Sequence, residues 1–116
     1  MRLENFQVYN LATGLGEVVS SEISLWSYFD KDTVGKQLVR AADSIAANLS
    51  EGMGRYHYKE RKNFSYYSRG SLFETKTWLT KAANRNLIQK DVSDKLLQDI
   101  EIIGIKLNNY INTIGK

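Results

Sequence analysis

Apolar residues recur along the chain at alternating spacings of three and four, the mark of helices with one buried face. The first series is Val8, Leu11, Leu15, Val18, then Leu25 and Phe29, with Glu22 interrupting it. Phe29 to Thr33 reads as a turn, with Asp30 or Asp32 placed to cap the next helix. The second series is Val34, Leu38, Ala42, Ile45 and Leu49, stopped by Gly52 and Gly54. A third segment over 58–85 carries Phe64, Tyr67, Leu72, Leu79 and Ala82, with Trp78 alongside. After a break at 84–90 comes the cleanest stripe: Leu96, Ile100, Ile103, Leu107, Tyr110 and Ile114. Asp91 and Asp94 lie in its first turn, where negative charge suits the helix dipole.

Four such segments with short breaks predict an all-α fold, an antiparallel up-down-up-down four-helix bundle forming one domain over 1–116. In that arrangement Gly14 and Gly16 come level with Gly104. They are expected either to let the first and fourth helices approach closely or to kink the first. Gly70 and Ser71 are expected to admit Ala41 and Ala42 in the same way.

Composition supports helices and removes several chemistries. The 116 residues include no proline, the strongest helix breaker, and 42% are hydrophobic. With no cysteine, disulfides, thiolate metal sites and a cysteine nucleophile are excluded. Nothing approaches the ~18 apolar residues of a membrane span, and 1–7 lacks the apolar run of a signal peptide. A cytoplasmic protein with no membrane role is expected.

Charge is unevenly placed. Residues 1–32 hold two basic and five acidic side chains, whereas 33–90 hold eleven basic and four acidic. This asymmetry points either to a polyanionic partner or to ordinary solvated helix faces. Two features lie within the basic middle. Gln37, Arg40, Ser44, Asn48, Glu51 and Arg55 line one side of the second helix. Serine and asparagine are poor helix-interior residues, so the stripe of Arg40, Ser44, Asn48 and Glu51, with Gly52 and Glu74, is read as a polar seam within the bundle or between subunits. An Arg40–Glu74 pair is expected there.

The second feature is the run from Glu51 to Lys62, where basic and aromatic side chains alternate. Cations contact phosphates and tyrosines stack on unpaired bases, so Arg55, Tyr56, Tyr58, Lys59, Arg61 and Lys62 are the candidate nucleic-acid contacts. The plainer alternative is that these tyrosines cap the bundle end while the cations keep it soluble. The glycines are similar to those of a phosphate loop, but the Lys-Ser/Thr pair of the Walker pattern is absent.

The run Gln37-Leu38-Val39-Arg40-Ala41-Ala42-Asp43-Ser44-Ile45-Ala46-Ala47-Asn48-Leu49-Ser50-Glu51-Gly52-Met53-Gly54-Arg55 resembles the signature of the four-helix bundle proteins encoded by intervening sequences of bacterial large-subunit ribosomal RNA genes. Lys59-Glu60, Phe64, Gly70-Ser71-Leu72 and Glu74 continue the match. The resemblance implies a homo-oligomer, with a ring of five as the family's form. It also implies distant kinship with the accessory bundle protein of diversity-generating retroelements, a basic pentamer that binds nucleic acid. Val39, Ala46 and Ser50 stand where the family usually has arginine, proline and alanine. The first removes a charge from the second helix, and the second leaves it straighter.

Catalysis is not expected. His57 is the one histidine, with no serine–aspartate arrangement near it. The Glu-x-x-His pairs of di-iron bundles are absent, so no metal ligand, cofactor or catalytic residue is assigned. The expected partners are further copies of the chain and RNA or DNA. The alternative function is an oligomeric protein–protein scaffold.

Overall fold

A computed structural model describes residues 2–116. Four helices form: α1 (Gln7–Ile23), α2 (Lys36–Met53), α3 (Tyr58–Asn84) and α4 (Lys90–Thr113). A 3-10 turn, Leu3–Asn5, precedes α1. The turn Tyr28–Asp30 and a π-helical stretch, Lys31–Gly35, lead without a break into α2. No strand occurs among the described residues.

Local chemistry sets these boundaries. Ser27 caps the entry to α2, its Oγ accepting from the Asp30 N–H at 3.3 Å. The reversal therefore falls at 24–27, ahead of the expected turn at Phe29 to Thr33, and Asp30 and Asp32 are already helical. Gly54 closes α2, its N–H shared between the carbonyls of Ser50 and Glu51. Asn86, at φ 58°, makes the left-handed step between α3 and α4 that asparagine tolerates better than most residues.

Contacts between helices run in opposite directions along every neighbouring pair. On α3 and α4, Arg69 meets Asn108 and Lys76 meets Glu101. On α2 and α3, Ile45 meets Ser68 and Gly52 meets Phe64. Gly16 lies against Asp43 across α1 and α2, and Gln7 meets Lys106 across α1 and α4. The result is an up-down-up-down bundle, 45 × 23 × 21 Å, with α2 and α3 in the most extensive contact.

The core is a continuous apolar column. Helix α2 gives Leu38, Ala42, Ile45 and Leu49, and α4 gives Leu96, Ile100, Ile103, Leu107 and Ile111. Helix α2 follows the sequence pattern, and α4 follows it as far as Leu107, beyond which Ile111 is buried and the expected Tyr110 is half-buried. Helix α1 departs from it: its buried face is Val8, Ala12, Leu15, Gly16, Val19 and Ile23, while Leu11 and Val18 stand beside that face in solvent. Leu25 and Phe29 are exposed at the following turn. Helix α3 departs further. It buries Ser65, Ser68, Leu72, Thr75, Leu79 and Ala82, leaving Tyr67 exposed and Phe64 half-buried.

The hydroxyls on α3 explain how a polar stripe sits in a core. Ser68 Oγ donates across the bundle to the Ile45 carbonyl at 2.8 Å. Ser65 and Thr75 donate back to the carbonyls of Arg61 and Ser71. Each hydroxyl is satisfied, and its small size lets α3 lie close on α2.

The expected glycine contacts are not those observed. A β-carbon at Gly16 would sit 2.7 Å from Asp43 Oδ1, so this glycine admits α2 rather than α4. Gly14 faces open space, and Gly104 packs under Leu72 of α3. Gly70 also faces open space, which removes its expected role against Ala41 and Ala42. The close approach of α2 and α3 occurs instead at Gly52, where a β-carbon would meet Phe64 Cβ at 3.1 Å.

Candidate nucleic-acid interface

The α2–α3 turn is short because Gly52 lets the two backbones converge before Gly54 ends α2. Its residues therefore crowd one end of the bundle. Arg55 is held in place: its guanidinium pairs with Glu51 at 2.7 Å, approaches Glu60 at 3.9 Å and lies over the Phe64 ring. Half-exposed pairs of this kind contribute little stability, but they spend part of the charge of Arg55 within the protein.

Arg61 is anchored differently. Its Nε donates to the Arg55 carbonyl at 2.8 Å, and its guanidinium lies 5.7 Å from the centre of the Tyr58 ring. No carboxylate pairs with its terminal nitrogens among the described residues. Lys59 and Lys62 also lack an acidic partner among the described residues, Lys59 exposed and Lys62 half-buried. Tyr56, 87% exposed, stands on the turn with His57 edge-on to its ring. Tyr58, also exposed, begins α3. The corner thus gathers Arg55, Tyr56, Tyr58, Lys59, Arg61 and Lys62, with Arg55 partly neutralised.

The C-terminal end of α4 completes this corner. Tyr110 packs its ring on Phe6 at 4.6 Å and donates its hydroxyl to Met53 Sδ at 3.3 Å. Burial pushes the Tyr110 phenol above its ordinary value, and the nearby Arg61 charge opposes that shift. Sequence reasoning missed Tyr110 because it reads as one more member of the apolar stripe. The antiparallel register, which brings the end of α4 beside the α2–α3 turn, was the signal that could have found it.

The proposed seam is less of a unit. Ser44 Oγ donates to the Arg40 carbonyl and Asn48 Nδ2 to the Ser44 carbonyl, both within α2. Glu51 turns to Arg55, and Gly52 is buried against α3. Arg40 and Glu74 are both exposed, and no ion pair joins them among the described residues. Local back-bonding explains why serine and asparagine are accommodated in this helix.

Other surfaces were not anticipated. Leu11, Val18 and Ile102 flank a groove between α1 and α4, and Phe73 and Ile105 stand out between α3 and α4. Phe73, Ile102 and Ile105 lie off the main stripes, which is their one sequence sign, whereas Leu11 and Val18 belong to the expected first stripe and are exposed all the same. Among the described residues no three His, Asp or Glu side chains gather as a metal site, and no helix is long and apolar enough to cross a membrane.

A family model described as "23S rRNA-intervening sequence protein" matches residues 4–109. No curated protein matches the chain. Among solved structures, a protein of unknown function from the S23 ribosomal protein family of Bacteroides thetaiotaomicron VPI-5482 superposes with a TM-score of 0.81. It is 19% identical, and the alignment covers 97% of this chain and 100% of that one. At that identity the likeness speaks for the fold. Neither description names a catalytic activity.

Proposed function

The chain belongs to the 23S rRNA-intervening sequence protein family, and on that footing we propose that it works without catalysis, as a homo-oligomeric bundle that associates with RNA through the α2–α3 corner. The observation that carries this is the set of outward groups at one end: Tyr56 and Tyr58 in solvent beside Lys59, Arg61 and Lys62, none of the three cations paired with a carboxylate among the described residues. Cations beside exposed rings supply both contacts that a flexible strand offers, phosphate and base face. The ring of five, a cytoplasmic setting and kinship with the accessory protein of diversity-generating retroelements belong to the same proposal.

Binding of labelled RNA measured over a salt series tests it. Affinity is expected to fall steeply as salt rises. Neutralising Lys59 and Lys62 is expected to lower the slope of log K against log salt by about 0.7 per contact removed on a single strand. Affinity that ignores salt and these substitutions would defeat the proposal. The second reading, an oligomeric scaffold for another protein, draws on the apolar residues left in solvent on α1, α3 and α4. Capture of a defined protein partner by a chain with no RNA affinity would favour it.

A further inference from the structure

Beside the corner lies a cavity of about 250 Å³ among Met53, Tyr58, Arg61, Tyr110, Thr113 and Lys116. Two aromatic rings and two cations line it, and no Asp or Glu side chain does. The α1–α4 groove includes Asp99, and the α3–α4 groove includes Glu101. The cavity over Phe73, Lys76 and Lys81 also lacks an acid, but it has one aromatic ring. The volume lies below the ~300–1,000 Å³ of sites for drug-sized molecules, so it suits one ring system with its substituents.

The groups around it are set before any ligand arrives. Tyr110 is fixed by its contact with Phe6 and its hydrogen bond to Met53. Arg61 is fixed through Nε to the Arg55 carbonyl and by the Tyr58 ring beneath it. The Arg61 terminal nitrogens therefore form a positioned fork without a carboxylate partner. Such a fork matches a phosphate in two-point geometry, and its fixed placement lowers the entropy lost on binding.

Resting on the proposed RNA association, we propose that this cavity takes one unpaired nucleotide of the bound strand. Its base lies against Tyr58 and Tyr110, and its phosphate meets Arg61 and Lys116. A paired base cannot enter, because its faces are already stacked within a duplex. The corner cations alone would favour the more densely charged duplex, so a preference for the single strand has to come from the cavity. The cavity makes the protein prefer the single strand.

Fluorescence anisotropy with a short labelled oligoadenylate, free or annealed to oligouridylate, tests this on the full chain. The single strand is expected to bind roughly tenfold tighter than the duplex, within the range of one base–aromatic stack. Tyr58→Ala is expected to remove that preference by weakening single-strand binding far more than duplex binding. Tyr58 is exposed at the start of α3, and a circular dichroism melt confirms that the variant folds. Arg61→Lys is expected to weaken single-strand binding severalfold with an unchanged salt slope, because the charge stays and the fork is lost. Equal affinity for both forms, insensitive to Tyr58→Ala but weakened by neutralising Lys59 and Lys62, would overturn the cavity and leave the corner standing. No affinity for either form would overturn the corner and the cavity together.

Discussion

At the scale of single residues, Gly70 and Gly52 respond oppositely to the same substitution. A β-carbon at Gly70 meets nothing within 4 Å. Gly70→Ala is therefore expected to raise stability by about 0.5–1 kcal/mol through helix propensity alone. At Gly52 the new atom would meet Phe64 Cβ at 3.1 Å and the Arg61 carbonyl at 3.3 Å. Gly52→Ala is expected to lose about 1–3 kcal/mol as α2 and α3 are pushed apart. Urea unfolding of both variants reads the difference in sign. Asp43 gives a prediction of another kind. Partial desolvation of this exposed residue beside α1, and secondarily the charge of Glu17, raise its carboxyl above the ordinary 3.8. The folded state then binds a proton more readily than the unfolded chain does. Stability accordingly falls as pH rises from 3.8 through the raised value, and the deficit is complete above it. Asp43→Asn is expected to be at least as stable as the parent near neutral pH, with the gap closing on acidification. Urea midpoints across that range check it, and a variant weaker at neutral pH would contradict it.

Helix α3 shows what an element can hide from a pattern search. Its buried line of Ser65, Ser68, Leu72, Thr75, Leu79 and Ala82 keeps the helical spacing but is half polar. Ser68→Leu would improve the apparent amphipathicity, yet it is expected to destabilise by about 1–3 kcal/mol, because the site is closed and the bond to Ile45 is lost. Ser68→Ala, which loses only the bond, is expected to cost about 1 kcal/mol. Thermal melts of the pair separate overpacking from hydrogen bonding. The same physics decides how much was legible beforehand. The number of helices, the C-terminal end of α2 and most of the α4 stripe could be read directly, since large apolar residues occupy the buried positions there. On α1 and α3 the closest contacts select Ala12, Gly16, Ser65 and Ser68, which carry little hydrophobic signal, and Leu11, Val18 and Tyr67 beside them carry more. The candidate interface divides in the same way. Its basic, tyrosine-rich run was legible because it is contiguous, whereas Tyr110 joins it only through the register of the helices.

For the whole molecule, the disposition of exposed apolar residues bears on how copies would meet. One set, Leu11, Val18 and Ile102, flanks the α1–α4 groove, with Gly14 leaving its floor open. The other, Phe73 and Ile105, 66% and 62% exposed, rises from the α3–α4 side. The two sets adjoin on α4, where Ile102 and Ile105 are one turn apart, with the α1 groove to one side and Phe73 of α3 to the other. A two-fold dimer needs one self-complementary patch, whereas two different patches that fit each other generate a head-to-tail ring. The proposed oligomer is therefore expected to seat Phe73 of one copy in the α1–α4 groove of the next. Phe73→Glu and Ile102→Glu should each reduce the particle to the 13.3 kDa chain, because every copy then lacks one half of the contact. Mixing the two variants should restore one contact per pair and stop at a heterodimer, since the first keeps a sound groove and the second a sound Phe73. Light scattering coupled to size exclusion distinguishes these outcomes. If each patch instead paired with its own kind, either variant alone would still dimerise through the patch it retains.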